Sequence, residues 1–291
     1  MPQISLTTAC APWYPLAELV PLLKQCGYQA IEVGLTQRKW DPGQPPSFWG
    51  NNAAMLDWAQ AEIEATALRA QLDAAGLPCC CIGSYASTDD IARIATAIAC
   101  ARILGAEFVR VRPPAWRPGL RHAVLLAEAR AAFSDLAAIS RETGVDCLIE
   151  LHDGTICPSA SAAMRVLEDL DPSLVGVIYD PANFAREGLE DIAMGIDLLG
   201  PWLRHVHVKN SSMKPTAASN QHGVRCEAPA GDLDTGFIDW DLVFRLLAGR
   251  GWEGACSIED FQPSSDPRQT LRRNAAWLGG KLHAAWPQRA T

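Results

Sequence analysis

The sequence predicts an α/β fold, a single (β/α)8 barrel over residues 1–291. Short apolar runs alternate with longer stretches of helical spacing, eight such runs occur, and the last four carry ionisable residues at or near their ends. Alternation of this kind implies parallel strands joined by crossover helices, and eight units are what a closed parallel barrel needs.

Each element has its own signal. The first run is 4–9, and a helical pattern over 16–26 follows it and stops at Gly27. The second run, 30–35, leads into a Pro-, Gly- and Trp-rich loop at 37–50. Residues 54–75 are alanine-rich with helical spacing, and Gly76 and Pro78 stop them. The third run is 78–85, after which Asp89 or Asp90 is placed to cap a helix ending near Leu104. The fourth run, 108–113, precedes a helix over 122–142, stopped near Gly144. Runs five and six, 146–152 and 175–180, precede helices over 159–170 and 189–199. The seventh, 204–209, opens a second long loop at 211–237, before a helix over 240–248. The eighth, 255–261, precedes a helix over 267–282. Both long loops follow strand C-terminal ends, the active face of such a barrel, where long loops serve as lids or binding loops.

Composition narrows the function classes. Hydrophobic residues make up 48%, enough for a large core, and charged residues 20%, too few for a disordered chain. The net charge of −8 and pI of about 5.3 oppose a phosphate backbone, so no nucleic-acid partner is expected. No apolar run is long enough to span a bilayer, so no membrane partner is expected. The segment Met1-Pro2-Gln3-Ile4-Ser5 lacks the basic-then-apolar order of a signal peptide, which points to the cytoplasm. The ten cysteines are scattered and form no CxxC pair; Cys79-Cys80-Cys81 lies in an apolar run, so free buried thiols are expected.

Four strand ends carry the chemistry. The fifth run ends Glu150-Leu151-His152-Asp153, the sixth Asp180-Pro181-Ala182-Asn183, and the seventh His205-Val206-His207-Val208-Lys209-Asn210. The eighth carries Ser257-Ile258-Glu259. Strand side chains alternate, so Glu150 shares a face with His152, and His205 and His207 share one with Lys209. In a closed barrel these faces converge at the mouth. Carboxylates with an imidazole suit Mn²⁺, Mg²⁺, Co²⁺ or Zn²⁺, and an ion gives clustered carboxylates a reason to coexist. Individually, Asp180 before Pro181 also reads as a turn initiator and His205 as a satisfied core histidine. Glu150 and Glu259 each follow an apolar run, where an unpaired carboxylate is costly.

These motifs resemble the metal-site motifs of the xylose isomerase-like TIM barrel superfamily, the sugar phosphate isomerase/epimerase family, over nearly the whole chain. The segment Pro229-Ala230-Gly231-Asp232-Leu233-Asp234, then Ile238-Asp239-Trp240, resembles the turn before its last barrel helix. The resemblance implies Glu150, Asp180, His207 and Glu259 as ligands of a divalent metal ion, with His207 preferred to His205. It also implies Glu150 and Glu259 as catalytic proton-transfer groups on opposite faces of the substrate. Asn183 stands where some relatives carry a substrate-contacting histidine, and Asn210 where an acidic residue is frequent.

The implied function is a divalent-metal-dependent isomerase or epimerase of a sugar or polyhydroxy-ketone, working by proton transfer through a metal-stabilised ene-diolate. His152, Asn183, Lys209 and Arg225 are candidate substrate-binding residues, and His222 lies in the same long loop as Arg225. Arg110 and Arg112 alternate on the fourth strand and are placed to pair with Glu32 on the second. Trp40 and Trp49 offer an apolar wall over a sugar or a homo-oligomer contact. The competing readings are a dehydratase of the inosose or 3-dehydroshikimate type on the same site, an abasic-site endonuclease, and a non-catalytic barrel. The endonuclease is disfavoured by six histidines and the acidic balance.

Overall fold

The eight apolar runs become eight parallel strands: β1 (Gln3–Thr7), β2 (Ala30–Thr36), β3 (Cys79–Ser84), β4 (Phe108–Val111), β5 (Asp146–Glu150), β6 (Val175–Tyr179), β7 (Leu203–Val208) and β8 (Ala255–Ile258). In the computed structural model, which describes residues 1–184, 190–219, 221, 223–224 and 226–286, each pairs with its chain neighbour. The barrel closes because β1 pairs with both β2 and β8. Outside it lie α1 (Leu16–Cys26), α2 (Ala61–Ala75), α3 (Ile91–Leu104), α4 (His122–Thr143), α5 (Ala160–Leu167), α6 (Ile192–Leu199), α7 (Trp240–Gly249) and α8 (Pro267–Ala285).

The helix boundaries follow capping chemistry. Asp90, Ser159, Asp191, Asp239 and Asp266 each accept a hydrogen bond from the backbone N–H three residues on, satisfying a donor the first turn leaves open. Asp90, not Asp89, is therefore the cap of α3. Left-handed glycines at 27, 76, 105 and 144 end α1 to α4.

One expected helix is shorter than its spacing implied. Over 54–75 the helix starts only at Ala61. Leu56–Asp57 is extended and pairs with Leu35 and Thr36 at the end of β2. Ala54, Met55 and Leu56 are buried there, which accounts for their apolar character without a helix. Several strands also stop two or three residues before the expected end: β1 turns into a 3-10 helix at Thr8–Cys10, and the residues after β5 and β8 leave the ladder at the barrel mouth. The loop 211–237 is folded back on β7: Asn210–Ser211 pairs antiparallel with Ala230–Gly231. Gly231 permits this, since a Cβ there would lie 3.0 Å from the Ser211 carbonyl carbon.

The main core fills the space between strands and helices, with Tyr28, Phe133 and Phe244 among its largest buried side chains. Tyr28 also donates its hydroxyl to the Leu271 carbonyl, tying the entry to β2 onto α8. A smaller apolar cluster of Cys81, Phe108, Leu148 and Ile178 sits apart from it. These share strand faces with Gly83, Arg110, Glu150 and Asp180, so they floor the barrel interior beneath a polar layer. No described helix is long and apolar enough to cross a membrane.

Candidate metal centre

The polar layer is assembled from five strands. Glu150 closes β5, Asp180 follows β6, His207 lies in β7, Glu259 follows β8, and Glu32 stands in β2. Glu150, Asp180, His207 and Glu259 each offer one ligand atom within 4.8 Å of all the others, and all four are buried. His207 Nδ1 lies 3.2 Å from Glu150 Oε1, 3.4 Å from Glu259 Oε1 and 3.8 Å from Asp180 Oδ2.

Each carboxylate divides its two oxygens between roles. Asp180 Oδ1 accepts from the backbone N–H groups of Ala182 and Asn183, so it does initiate the turn at Pro181–Phe184. That leaves Oδ2 to the cluster. Glu150 Oε2 accepts from Arg110 at 2.8 Å, and Glu259 Oε2 accepts from Lys209 at 3.0 Å. The Lys209 ammonium also stands 2.5 Å from Asp180 Oδ2.

The pairing expected of Glu32 is different in the structure. Arg110 turns to Glu150 and the Ser84 carbonyl, and its guanidinium stacks over Tyr85 with 4.3 Å to the ring centroid. Arg112 lines the mouth cavity instead. Glu32, fully buried, accepts from both histidines of β7: its Oε2 lies 3.0 Å from His205 Nε2 and 3.1 Å from His207 Nε2. The physical reason is competition for partners: Arg110 is taken up by Glu150 and the Ser84 carbonyl, while the Nε2 atoms of His205 and His207 lie within 3.2 Å of Glu32. Gly83 makes the room, because a Cβ there would sit 2.9 Å from Glu32 Oε1. His205 is a buried histidine held by Glu32 and Ser257 Oγ, both at 3.0 Å.

Electrostatics follow from these contacts. Burial pushes the Glu32 carboxyl up, but the two imidazoles outweigh it and hold it well below the usual carboxylate range. Burial likewise opposes the charge on Glu150, and Arg110 with His207 reverses that, holding it well below the usual range. For His207, burial disfavours the imidazolium, yet Glu259 and Glu32 raise it well above the usual histidine range. Lys209 is also raised, Asp180 and Glu259 overcoming the cost of burial.

The donor set fits a divalent cation. Glu32, Glu150, Asp180 and Glu259 bring four carboxylates into one buried layer, against the two permanent cations Arg110 and Lys209. The surplus of negative charge is what a bound cation would balance, in place of the proton that Glu259 and Glu32 favour on His207. Three oxygens and one imidazole nitrogen suit Mn²⁺, Mg²⁺, Co²⁺ or Zn²⁺, and the cluster contains no cysteine sulfur. With Nε2 facing Glu32, His207 is left with Nδ1 for the ion, the arrangement by which a carboxylate fixes a ligand tautomer.

A cavity of about 540 Å³ opens above the cluster. Its lining includes Glu150, Glu259, His152, Asn183 and Lys209, so these expected residues meet in one place. Asn183 is tied down, its side-chain amide donating to the Leu151 carbonyl at 2.8 Å, and His152 bonds the Asp153 carbonyl. Arg225 and His222 lie outside the described residues. Trp49 does form a wall, packing on Tyr85 and Phe261 with centroids at 6.0 and 5.1 Å, and all three line the cavity. Trp40 is exposed. Sequence reasoning missed Tyr85, Phe261 and Ser211; the alternation rule extended one residue past β3 and two past Glu259 would have found the two aromatic residues.

Comparison with known proteins gives three findings. A family model described as xylose isomerase-like TIM barrel matches residues 20–280. A curated relative, inosose dehydratase of Mesomycoplasma hyopneumoniae, is 29% identical over 136 residues, covering 45% of this chain and 44% of that protein. The chain thus matches less than half the length of these curated relatives. Among solved structures, 3-keto-D-glucoside 4-epimerase YcjR from E. coli superposes with a TM-score of 0.71 at 15% identity, over 96% of this chain and all of that one. An IolI protein with a bound zinc atom superposes with a TM-score of 0.74 at 13% identity, over 98% of this chain and all of that one.

Proposed function

The chain belongs to the xylose isomerase-like TIM barrel family, and from that premise we propose that it is a divalent-metal-dependent isomerase or epimerase of a sugar or sugar-like polyhydroxy-ketone. One observation carries this reading. Glu150 and Glu259, from strands on different sides of the cluster, each turn Oε1 toward it and each keep Oε2 on a fixed cation.

A divalent ion held by Glu150, Asp180, His207 and Glu259 would polarise a substrate ketone as a Lewis acid. The protein's own groups move the proton. Arg110 and Lys209 hold the two glutamates in place and keep their Oε2 atoms occupied. One glutamate, as carboxylate, takes the proton α to the ketone; its counterpart, carrying a proton taken up from solvent, delivers that proton to the opposite face of the ene-diolate, giving the epimer, and proton exchange with water returns both groups to their starting states. Return to the neighbouring carbon gives aldose–ketose isomerisation. The aromatic wall of Trp49, Tyr85 and Phe261 restricts water at the reacting carbon.

A dehydratase on the same site is the second reading, and Lys209 favours it. Its ammonium lines the cavity between Asp180 and Glu259, where it can donate to a departing β-hydroxyl. The matches to inosose dehydratases support the same reading.

The test is proton exchange. Metal-loaded protein is incubated in D₂O with a panel of ketoses and inososes, and NMR follows deuterium entering the carbon α to the ketone. Exchange is expected with at least one member, and Glu150→Gln or Glu259→Gln should slow it by about 10²–10⁴-fold. Exchange accompanied by a new ultraviolet band assigns dehydration; exchange without one assigns isomerisation or epimerisation. No exchange across the panel, or full exchange in both variants, contradicts the proposal.

A further inference from the structure

Arg112 is a cation of the cavity that no described carboxylate engages. It follows β4 two positions after Arg110, on the same face, and lines the cavity half-buried. The other basic groups there are occupied: Arg110 by Glu150 at 2.8 Å, Lys209 by Asp180 at 2.5 Å and Glu259 at 3.0 Å, and His152 beside Asp153 at 3.3 Å. Among the described residues, the Arg112 guanidinium has neither an ion pair nor a hydrogen bond.

Its backbone is nevertheless fixed. Arg112 N donates to the Ala86 carbonyl at 2.9 Å and Thr88 N donates to the Arg112 carbonyl at 3.1 Å, bracing the segment against the chain after β3. A braced, half-buried guanidinium facing a cavity gives up hydration without recovering it from the protein, and an arriving anion restores it. Across the same cavity, Ser211 Oγ, three residues past β7, is buried and has no hydrogen-bond partner among the described residues. Two unspent polar groups on opposite walls define what the site lacks: an anion and a hydroxyl.

We propose that the substrate bears a carboxylate, received by Arg112 as a bidentate pair, while Ser211 bonds one of its hydroxyl groups. This rests on the polyhydroxy-ketone reading above and narrows it. A carboxylate suits the site better than a phosphate. Phosphate sites of such barrels use backbone N–H groups, and the two residues after Arg112, Pro113 and Pro114, have none to give. One planar guanidinium matches one planar carboxylate.

A matched set of non-reacting probes tests this by isothermal titration calorimetry on the full chain, with and without Mg²⁺: D-glucitol, D-gluconate and D-glucitol 6-phosphate. Gluconate should bind about 10- to 100-fold more tightly than glucitol, the range of a charge-assisted pair. Arg112→Gln should remove that preference and leave glucitol binding unchanged, and Arg112→Lys, which keeps the charge but loses the fork, should retain part of it. Any of four results overturns the proposal. Gluconate binds no better than glucitol, its advantage survives Arg112→Gln or depends on Mg²⁺ alone, or the phosphate ester binds most tightly through Arg112. None of the probes has a ketone, so failure here leaves the exchange experiment intact, and failure of exchange leaves this result intact.

Discussion

Glu32 is the residue on which the candidate centre turns. It is a lone carboxylate inside the apolar run Ala30-Ile31-Glu32-Val33, and it joins the two histidines of β7. Glu32→Gln keeps the side-chain shape but removes the charge that orients His207. Loss of such an outer partner typically costs about 10–100-fold in metal affinity, and titration with Mn²⁺ or Zn²⁺ should show a loss in that range. Unchanged affinity would mean that the Glu32–His207 contact serves packing alone. At this scale the sequence was partly legible. Glu150, Asp180, His207 and Glu259 stood out as ionisable residues near strand ends, and the resemblance to the family's motifs, not their position, singled out His207 from His205. The partner of Glu32 could not be read, because alternation gives the face a side chain points to and not which of several inward-facing groups it meets. Arg110 is taken by Glu150 and the Ser84 carbonyl instead, and Arg112 lines the cavity.

Among the elements, β7 and the loop after it hold the most chemistry in the fewest residues. His205, His207 and Lys209 point inward in turn, and Asn210 then anchors the returning loop. The Asn210 amide donates to the Leu233 and Ile238 carbonyls, at 3.0 and 3.2 Å, and its oxygen accepts from Ser211 N and Ile238 N. This gives Asn210 a structural role: an amide both donates and accepts, whereas a carboxylate only accepts. Asn210→Asp would set a charge against two carbonyls and is expected to cost about 2–3 kcal/mol, read as a lowered thermal midpoint. An unchanged midpoint would show that the loop is held by other contacts. A simpler test concerns α8, where Asp266 Oδ1 caps Gln269 N at 3.0 Å. Asp266→Ala should cost about 1 kcal/mol in denaturant unfolding, without affecting metal binding. Helix ends such as this were legible from caps and glycines. The start of α2 was not, because buried extended residues at 54–56 carry the same apolar signature as a helix turn.

The molecule as a whole separates an apolar shell from a polar barrel mouth. The strand order and barrel closure were legible because each strand is an apolar run and each crossover a capped helix. The cysteines follow the same division. All ten are free; Cys226 is exposed, Cys80 is half-buried and the others are buried. Burial pushes the Cys80 thiol up to about 12, with Glu32 adding to the effect, so it is a poor nucleophile at neutral pH. Native protein should therefore show one fast-reacting thiol with an aromatic disulfide reagent and ten after unfolding. Several fast thiols in the native state would contradict the buried-thiol shell.

The central claim is that Glu150, Asp180, His207 and Glu259 hold one divalent ion. Elemental analysis after loading with Zn²⁺ or Mn²⁺ and desalting tests it most directly, comparing the wild type with His207→Ala and with Asp266→Ala, a helix-cap variant outside the cluster and the cavity lining. The expected result is one ion per chain in the wild type and in Asp266→Ala, and loss of that ion in His207→Ala. Absence of bound metal in the wild type, or equal retention in His207→Ala, would contradict it.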